Sequence, residues 1–193
     1  MSYTKVQALL NKGVSRPTLY RVIIPRMGAV SQEQLSLLIS ATALPEISVE
    51  TIQANGHDAQ GVVRESPGHV VYGKPFSVTV ISDSDYTVYK DMRAWFDTVV
   101  VGANPFNILN GVIGDAQRGG FYTDITSDIE LIKLEQCPKQ TYKSPFSVTF
   151  NNAYPVRIGN LAMASDQFNS FMTFQVDFFY ETYTFNPEVK SFI

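Results

Sequence analysis

The closing run Phe171-Met172-Thr173-Phe174-Gln175-Val176-Asp177-Phe178-Phe179-Tyr180 alternates large aromatic residues with polar ones. That is the period of an extended strand with one buried face, since successive side chains of a strand point to opposite sides. A second segment, Ser36 to Pro45, runs apolar and small and stops at a proline, and it too reads as a strand. Neither carries the residue types of catalysis. Both have the chemistry of pairing surfaces, which points to assembly through sheets rather than to turnover.

The remainder of the chain supplies further strands and one clear helix. Leu19 to Ile24 reads as a first strand ended by Pro25, and Met27-Gly28-Ala29 as the turn toward the second at Leu35 to Ala43, so the two are expected to pair as a hairpin. Ile47-Ser48-Val49-Glu50-Thr51-Ile52 has the pattern of a strand with one wet face. From Gln53 to Lys74 the chain is polar and broken by Asn55-Gly56, Gly61, Pro67-Gly68 and Gly73, which predicts a projecting hairpin or loop. Phe76 to Ile81 alternates and leads into Ser82-Asp83-Ser84-Asp85, a cluster suited to capping a helix. In that helix Val88, Met92, Trp95, Phe96 and Val99 recur every three or four residues, and it is expected to end near Val101-Gly102. Three more strands are expected at Asp128 to Glu135, Phe146 to Phe150 and Ser170 to Phe185, with Tyr154 to Leu161 connecting the last two. The organisation predicted is one domain over residues 1–193. It comprises an N-terminal arm or short helix at 1–15, the projecting segment 53–74, a glycine-rich loop at 102–120 and a tail at 186–193.

Charge and cysteine content narrow the function. With 15 Lys and Arg against 18 Asp and Glu, the net charge is −3, which opposes a surface built to grip nucleic acid by displacing its counterions. A wall that only lets DNA slide past is compatible with it. The single Cys137 allows no intrachain disulfide and no thiolate-only zinc site, as fits assembly in a reducing compartment. The start, Met1-Ser2-Tyr3-Thr4-Lys5-Val6-Gln7, lacks the pattern of a signal peptide, and no apolar run reaches bilayer length, so no membrane anchor is expected.

Candidate chemistry is sparse. His57 and His69 are twelve apart without a third ligand at metal spacing. Asp83 and Asp85 read as helix caps before they read as an acid–base pair. There is no Gly-x-Ser-x-Gly elbow, no phosphate-binding loop between Gly102 and Gly120, and no histidine near Cys137 in sequence. No enzyme and no cofactor are implied. The aromatic cluster from Phe171 to Phe185 lacks the basic residues of a base-stacking platform, so a buried sheet face is the better account.

An ordered set of segments carries a resemblance: Arg16-Pro17-Thr18-Leu19-Tyr20-Arg21-Val22, Ala41-Thr42-Ala43-Leu44-Pro45, Phe76-Ser77-Val78-Thr79-Val80 leading to Phe96-Asp97, and Tyr154-Pro155 through Gly159-Asn160-Leu161 to Phe174-Gln175-Val176-Asp177-Phe178. In order and rough spacing, over about residues 14 to 185, the chain resembles the tail tube proteins of contractile-tailed bacteriophages. The resemblance implies a mainly β subunit with a flanking α-helix, a β-sandwich or β-barrel-like fold. Its inner strands would join a ring-wide barrel in hexameric rings that stack into a hollow conduit for DNA inside a contractile sheath. The partners implied are further copies of the chain, the tail sheath protein, and baseplate and tube-terminator proteins. DNA would pass through the lumen without sequence-specific binding. The location implied is the virion tail, assembled in the host bacterial cytoplasm.

The expected assembly contacts lie in the two long segments: Asn55, Gly56, His57, Arg64, Pro67 and His69 in the first, and Phe106, Ile108 and Leu109 in the second. The acidic net charge suggests a negative lumen. Two alternatives have the same fold, a baseplate protein that initiates the tube and the tube protein of an injection system. A third, of another class, is a monomeric β-barrel whose aromatic last strand lines a pocket for a small apolar ligand.

Overall fold

The computed structural model describes residues 17–28, 31–54, 64–101, 118–136, 142–163, 170–187 and 190–192. Strand β1 (Tyr20–Ile23) is followed by helix α1 (Gln32–Leu38) and strand β2 (Ile39–Thr42). Here the single strand expected from Ser36 to Pro45 divides: its first residues are helical and only Ile39–Thr42 is extended. Ser31 caps α1 by accepting a hydrogen bond on Oγ from the Gln34 N–H at 3.2 Å. Leu35 and Ile39, four apart, are buried, while Leu37 is exposed, so helical spacing and a cap outweigh the apolar run. The Gln32 side chain fastens α1 to the end of β1. Its Oε1 accepts from the Ile24 N–H at 2.9 Å and its Nε2 donates to the Ile24 carbonyl at 2.8 Å.

β3 (Ile47–Ala54) and β4 (Arg64–Tyr72) come next, then β5 (Phe76–Ile81) and helix α2 (Thr87–Val99). Asp83 begins α2 as expected, its Oδ2 accepting from the Thr87 N–H at 3.1 Å, whereas Asp85 contributes its main-chain carbonyl to Lys90 Nζ. The helix stops at Val99, two residues before the expected end, because Val100 turns extended to open β6 (Val100–Val101), which pairs with β7 (Arg118–Gly119). The short helix α3 (Tyr122–Ile125) leads into β8 (Ser127–Gln136), β9 (Tyr142–Ile158), β10 (Thr173–Phe179), β11 (Thr182–Asn186) and β12 (Lys190–Phe192).

The 17-residue β9 organises the sheets. Its first part pairs β8 on one side and β11 and β12 on the other, and its last residues pair β10. Thus Tyr154 to Ile158, expected as a connector, is strand. The closing run, expected as one strand from Ser170 to Phe185, breaks between Phe179 and Thr182, where Tyr180 and Glu181 turn the corner. Both strands irregularly change register at that level, opposite Ala153 and between Asp177 and Phe178, and Asn152 takes a left-handed φ of 54°. Bulges of this kind bend a strand so that it passes from one sheet face to another. Among the described residues the resulting sheet runs β1-β8-β9-β10-β5-β2 and ends at β1 and β2. The expected hairpin of β1 with β2 does not form: β1 pairs β8 and β2 pairs β5, at opposite ends.

One core fills the fold. Val22, Ile129, Leu131, Val148 and Phe150 from one arm of the sheet meet Phe76, Val78, Val80, Phe174, Val176 and Phe178 from the other, and Val88, Met92 and Trp95 of α2 close it. Phe76 and Phe150 stack across the junction with centroids 4.1 Å apart, and Trp95 lies 5.6 Å from Phe178. Each such side chain contributes about 1.5–3 kcal/mol of burial. The Trp95 Nε1–H donates to the Ile125 carbonyl at 2.7 Å, which ties α3 to α2. The fold is mainly β with a flanking helix, a bent sandwich with open edges.

Candidate assembly surface

Among the described residues, β3 and β4 pair only with each other. They form a two-stranded arm paired from Ile47 opposite Tyr72 to Ala54 opposite Arg64, with a bulge where Gly68 and His69 of β4 face Glu50. Such a ribbon is marginal alone and needs a foundation. The foundation is Tyr180, a buried residue at the corner of the closing ribbon, whose hydroxyl donates to the Gly73 carbonyl. The Gly73 N–H in turn donates to the Glu46 carbonyl at 2.9 Å, and Tyr72 meets Tyr183 edge-on at 5.0 Å. Gly73 is required there, since a Cβ would lie 2.9 Å from Glu46 Cγ and 3.1 Å from the Glu46 carbonyl oxygen. Burial first, then the neighbouring Tyr183 and Tyr72 hydroxyls, push the Tyr180 phenol up to about 12.

The arm's surface is unusually apolar for its exposure. Ile47 (55%), Val49 (53%), Ile52 (60%) and Val70 (48%) remain open to solvent, and Val49 stands opposite Val70. Ile47 and Val49, with Val70 opposite Val49, share one face of the ribbon, and Ile52 lies on the other; no described element covers these side chains. Runs of exposed apolar side chains on an otherwise polar ribbon mark contact surfaces. Pro67 lies within β4 opposite Thr51, a position open to proline in a two-stranded ribbon whose outer edge makes no ladder. His69 Nε2 stands 2.9 Å from Glu50 Oε2 at the bulge, both side chains exposed. Arg64 opens β4. Asn55, Gly56, His57, Phe106, Ile108 and Leu109 lie outside the described residues. Of the expected contact residues, then, the structure brings Arg64, Pro67 and His69 onto one strand. The apolar set Ile47, Val49, Ile52 and Val70 was missed as a contact surface, although its exposure lay behind a visible alternation.

Two sheet edges add to this surface. Among the described residues, β1 bonds only β8 and β2 bonds only β5, leaving one side of each ladder without a described partner. The buried aromatic side chains of β10, by contrast, pack against other rings of the core. Phe174 packs edge-on against Tyr89 at 5.3 Å, and Phe178 lies 6.3 Å from Phe76. Phe171, Phe179 and Phe185 face solvent, so the aromatic face is only partly buried. A depression of about 240 Å³ beside β10 is mostly polar, lined by Thr79, Arg157, Gly159, Asn160, Thr173 and Gln175 together with Phe174.

A family model described as phage tail tube protein matches residues 6–186. Among solved structures, the chain is similar to one in the sheath–tube complex of an extracellular contractile injection system in its extended state, with 11% identity, a TM-score of 0.50, and 97% of this chain and 99% of that chain covered. It is also similar to a chain of the six-fold symmetrised baseplate of the anti-feeding prophage, at 12% identity and a TM-score of 0.50, covering 90% and 94%. A chain of that prophage's tube-terminating cap compares at 12% identity and 0.50, covering 91% and 92%. At these identities the likeness is one of fold. No curated protein matches the sequence.

Proposed function

The chain belongs to the phage tail tube protein family, and on that premise we propose that it is the repeated, non-enzymatic subunit of a tail tube. Hexameric rings stack into a hollow conduit through which DNA leaves the particle. The observation that carries this reading is the β3–β4 arm, with apolar side chains that no described element covers, on a body whose sheet, among the described residues, ends in unpaired edges at β1 and β2. A head-to-tail contact that closes on rotation makes a ring, and a second one along the axis makes an open polymer. Two kinds of unsatisfied surface serve those two contacts. The strand edges at β1 and β2 join neighbours within a ring, which removes the hazard of a free edge. The arm, with Val49, Ile52, Pro67, His69 and Val70, reaches a neighbouring copy.

The solved relatives in a sheath–tube complex, a baseplate and a cap support partners of the same kinds: a sheath outside, a baseplate below and a terminator above. The particle's tail is the location, with assembly in the bacterial cytoplasm before release. Negative-stain electron microscopy beside sedimentation, over a range of protein concentrations, tests the reading. Hollow rings or tubes of uniform diameter are expected, and a monomer that stays dispersed even when supplied with preformed tube ends overturns it.

A further inference from the structure

The corner where β9 and β10 bend links three rings in a row. Phe179 lies directly opposite Tyr154, and cross-strand partners share a sheet face. Their ring centroids stand 6.4 Å apart with the planes at 67°. Tyr154 in turn meets Tyr122 of α3 edge-on, at 6.4 Å and 76°. These rings stay open to solvent: Tyr122 and Phe179 are exposed and Tyr154 is half-buried. Phe121, next to Tyr122 in the chain, is 83% exposed.

Two carboxylates are gathered at the same corner by Asn152, the bulge residue with the left-handed φ. Its main-chain N–H donates to Asp128 Oδ1 at 2.9 Å and its Nδ2 donates to Glu181 Oε2 at 2.7 Å. Among the described residues neither acid belongs to an ion pair. The negative charge reaches the rings. Burial first, then the Glu181 charge and Tyr154, push the Tyr122 phenol above its ordinary value. Elsewhere the chain seats cations of its own on rings: Arg26 on Trp95, Lys74 on Tyr180 and Arg93 on Phe96. Among the described residues no such cation lies over Tyr122, Tyr154 or Phe179.

We infer that the Tyr122–Tyr154–Phe179 corner is a docking site for a basic segment of a partner protein, which seats an arginine or lysine side chain against the rings with Glu181 and Asp128 as its counter-charges. Charge decides the occupant. An aromatic face attracts a cation through its quadrupole, and a carboxylate alongside adds a full opposite charge. An uncharged apolar partner would strip water from two carboxylates and give nothing in return. An acidic segment or a nucleic acid would be repelled. Arginine suits the corner better than lysine, since its flat guanidinium stacks on a ring while its N–H groups reach a carboxylate. The inference stands apart from the tube reading, because it uses neither the aliphatic β3–β4 arm nor the sheet edges.

The test titrates dispersed subunits with the peptide Gly-Arg-Gly-Arg-Gly and with its glutamine and glutamate counterparts, read by amide shifts in nuclear magnetic resonance. The arginine peptide should shift Tyr122, Phe179 and Glu181. It should bind about tenfold more tightly than the glutamine peptide at low salt and lose most of that margin at high salt. Tyr122→Leu should weaken it about fivefold. Glu181→Gln keeps an acceptor for Asn152 and removes the charge, and should weaken it about threefold. Phe179→Leu keeps the test open should Tyr122→Leu disturb α3. Equal binding of the arginine and glutamine peptides overturns the inference, as do shifts centred elsewhere on the surface or no binding at millimolar peptide. If assembled tubes refuse the arginine peptide and Tyr122→Leu subunits form no tubes, the occupant is a second copy of the chain, and the assignment to a basic partner fails.

Discussion

The Tyr180 hydroxyl donates to the carbonyl of Gly73, a residue 107 positions earlier in the chain, and so fixes the base of the β3–β4 arm to the corner where β10 turns into β11. This bond connects the two halves of the molecule's task. Tyr180 belongs to the core, edge-on to Phe150 at 5.0 Å, while Gly73 ends the arm that the tube reading places against a neighbour. The direction of the arm is therefore set by packing within the body.

Tyr180→Phe keeps the ring and removes the donor, leaving the Gly73 carbonyl without this partner. A loss of about 1–2 kcal/mol is expected in urea unfolding. The pH dependence has a definite sign. The folded phenol titrates at about 12, above its ordinary value of 10, so its contribution is complete below pH 10 and disappears as pH rises from there through about 12. The variant should show a shallower fall than the parent across that window when stability is measured at stepped pH.

Asp83→Ala removes the carboxylate that accepts from the Thr87 N–H in the first turn of α2, just beyond the Tyr86 cap position, with an expected cost of about 0.5–2 kcal/mol. Burial alone would raise the Asp83 carboxyl, but hydrogen bonds from Thr87 and Val88 outweigh it and hold the group below its ordinary 3.8. Its stabilisation is present above that ordinary value and is lost as pH falls through the lower folded value. Acid titration followed by circular dichroism should find the parent losing stability below pH 3.8 more steeply than the variant.

Val49→Lys combined with Val70→Glu replaces the facing apolar pair on the arm with an opposite-charge pair that still suits an antiparallel ribbon. Both sites are exposed, so subunit stability should change by no more than about 0.5 kcal/mol. Tube assembly should be lost, as read by sedimentation and microscopy. Normal tubes from this variant would remove the arm's apolar face from the contact.

Phe150→Ala empties the junction where Phe76 stacks at 4.1 Å and Tyr180 stands at 5.0 Å. The expected loss is about 3–5 kcal/mol. Because the site belongs to both arms of the sheet, denaturation should remain a single transition by fluorescence and by circular dichroism.

Much of this was legible in the chain. The spacing of Val88, Met92 and Trp95 gave α2 its buried stripe, and Asp83 its cap. The alternation in Phe76 to Ile81 matches its burial, and that in Thr173 to Phe179 does except at Asp177, which is buried by its hydrogen bonds to Ser77 and Gln175. The helix α1 was also available, in Ser31 three residues before Gln34 and in Leu35 and Ile39 four apart, but the apolar run from Leu37 to Ala43 masked it. The pairing of Ile47–Ala54 with Arg64–Tyr72 was not legible in the chain. The polar and glycine-rich composition of residues 53–74 marks a projection, while Val49, Ile52 and Val70 read as ordinary strand residues until the fold leaves them uncovered.

The sequence by itself determined the periods, caps and breaks, because these arise from backbone geometry and contacts within a few residues. Only the tertiary structure decided that β1 pairs β8 and β2 pairs β5, that β9 bends to serve both arms of the sheet, and that Asp177 meets Ser77, Gln175 and Arg157 on one outward face. Strand partners are chosen by the summed burial of whole faces, and that sum exists only once residues far apart in the chain have come together.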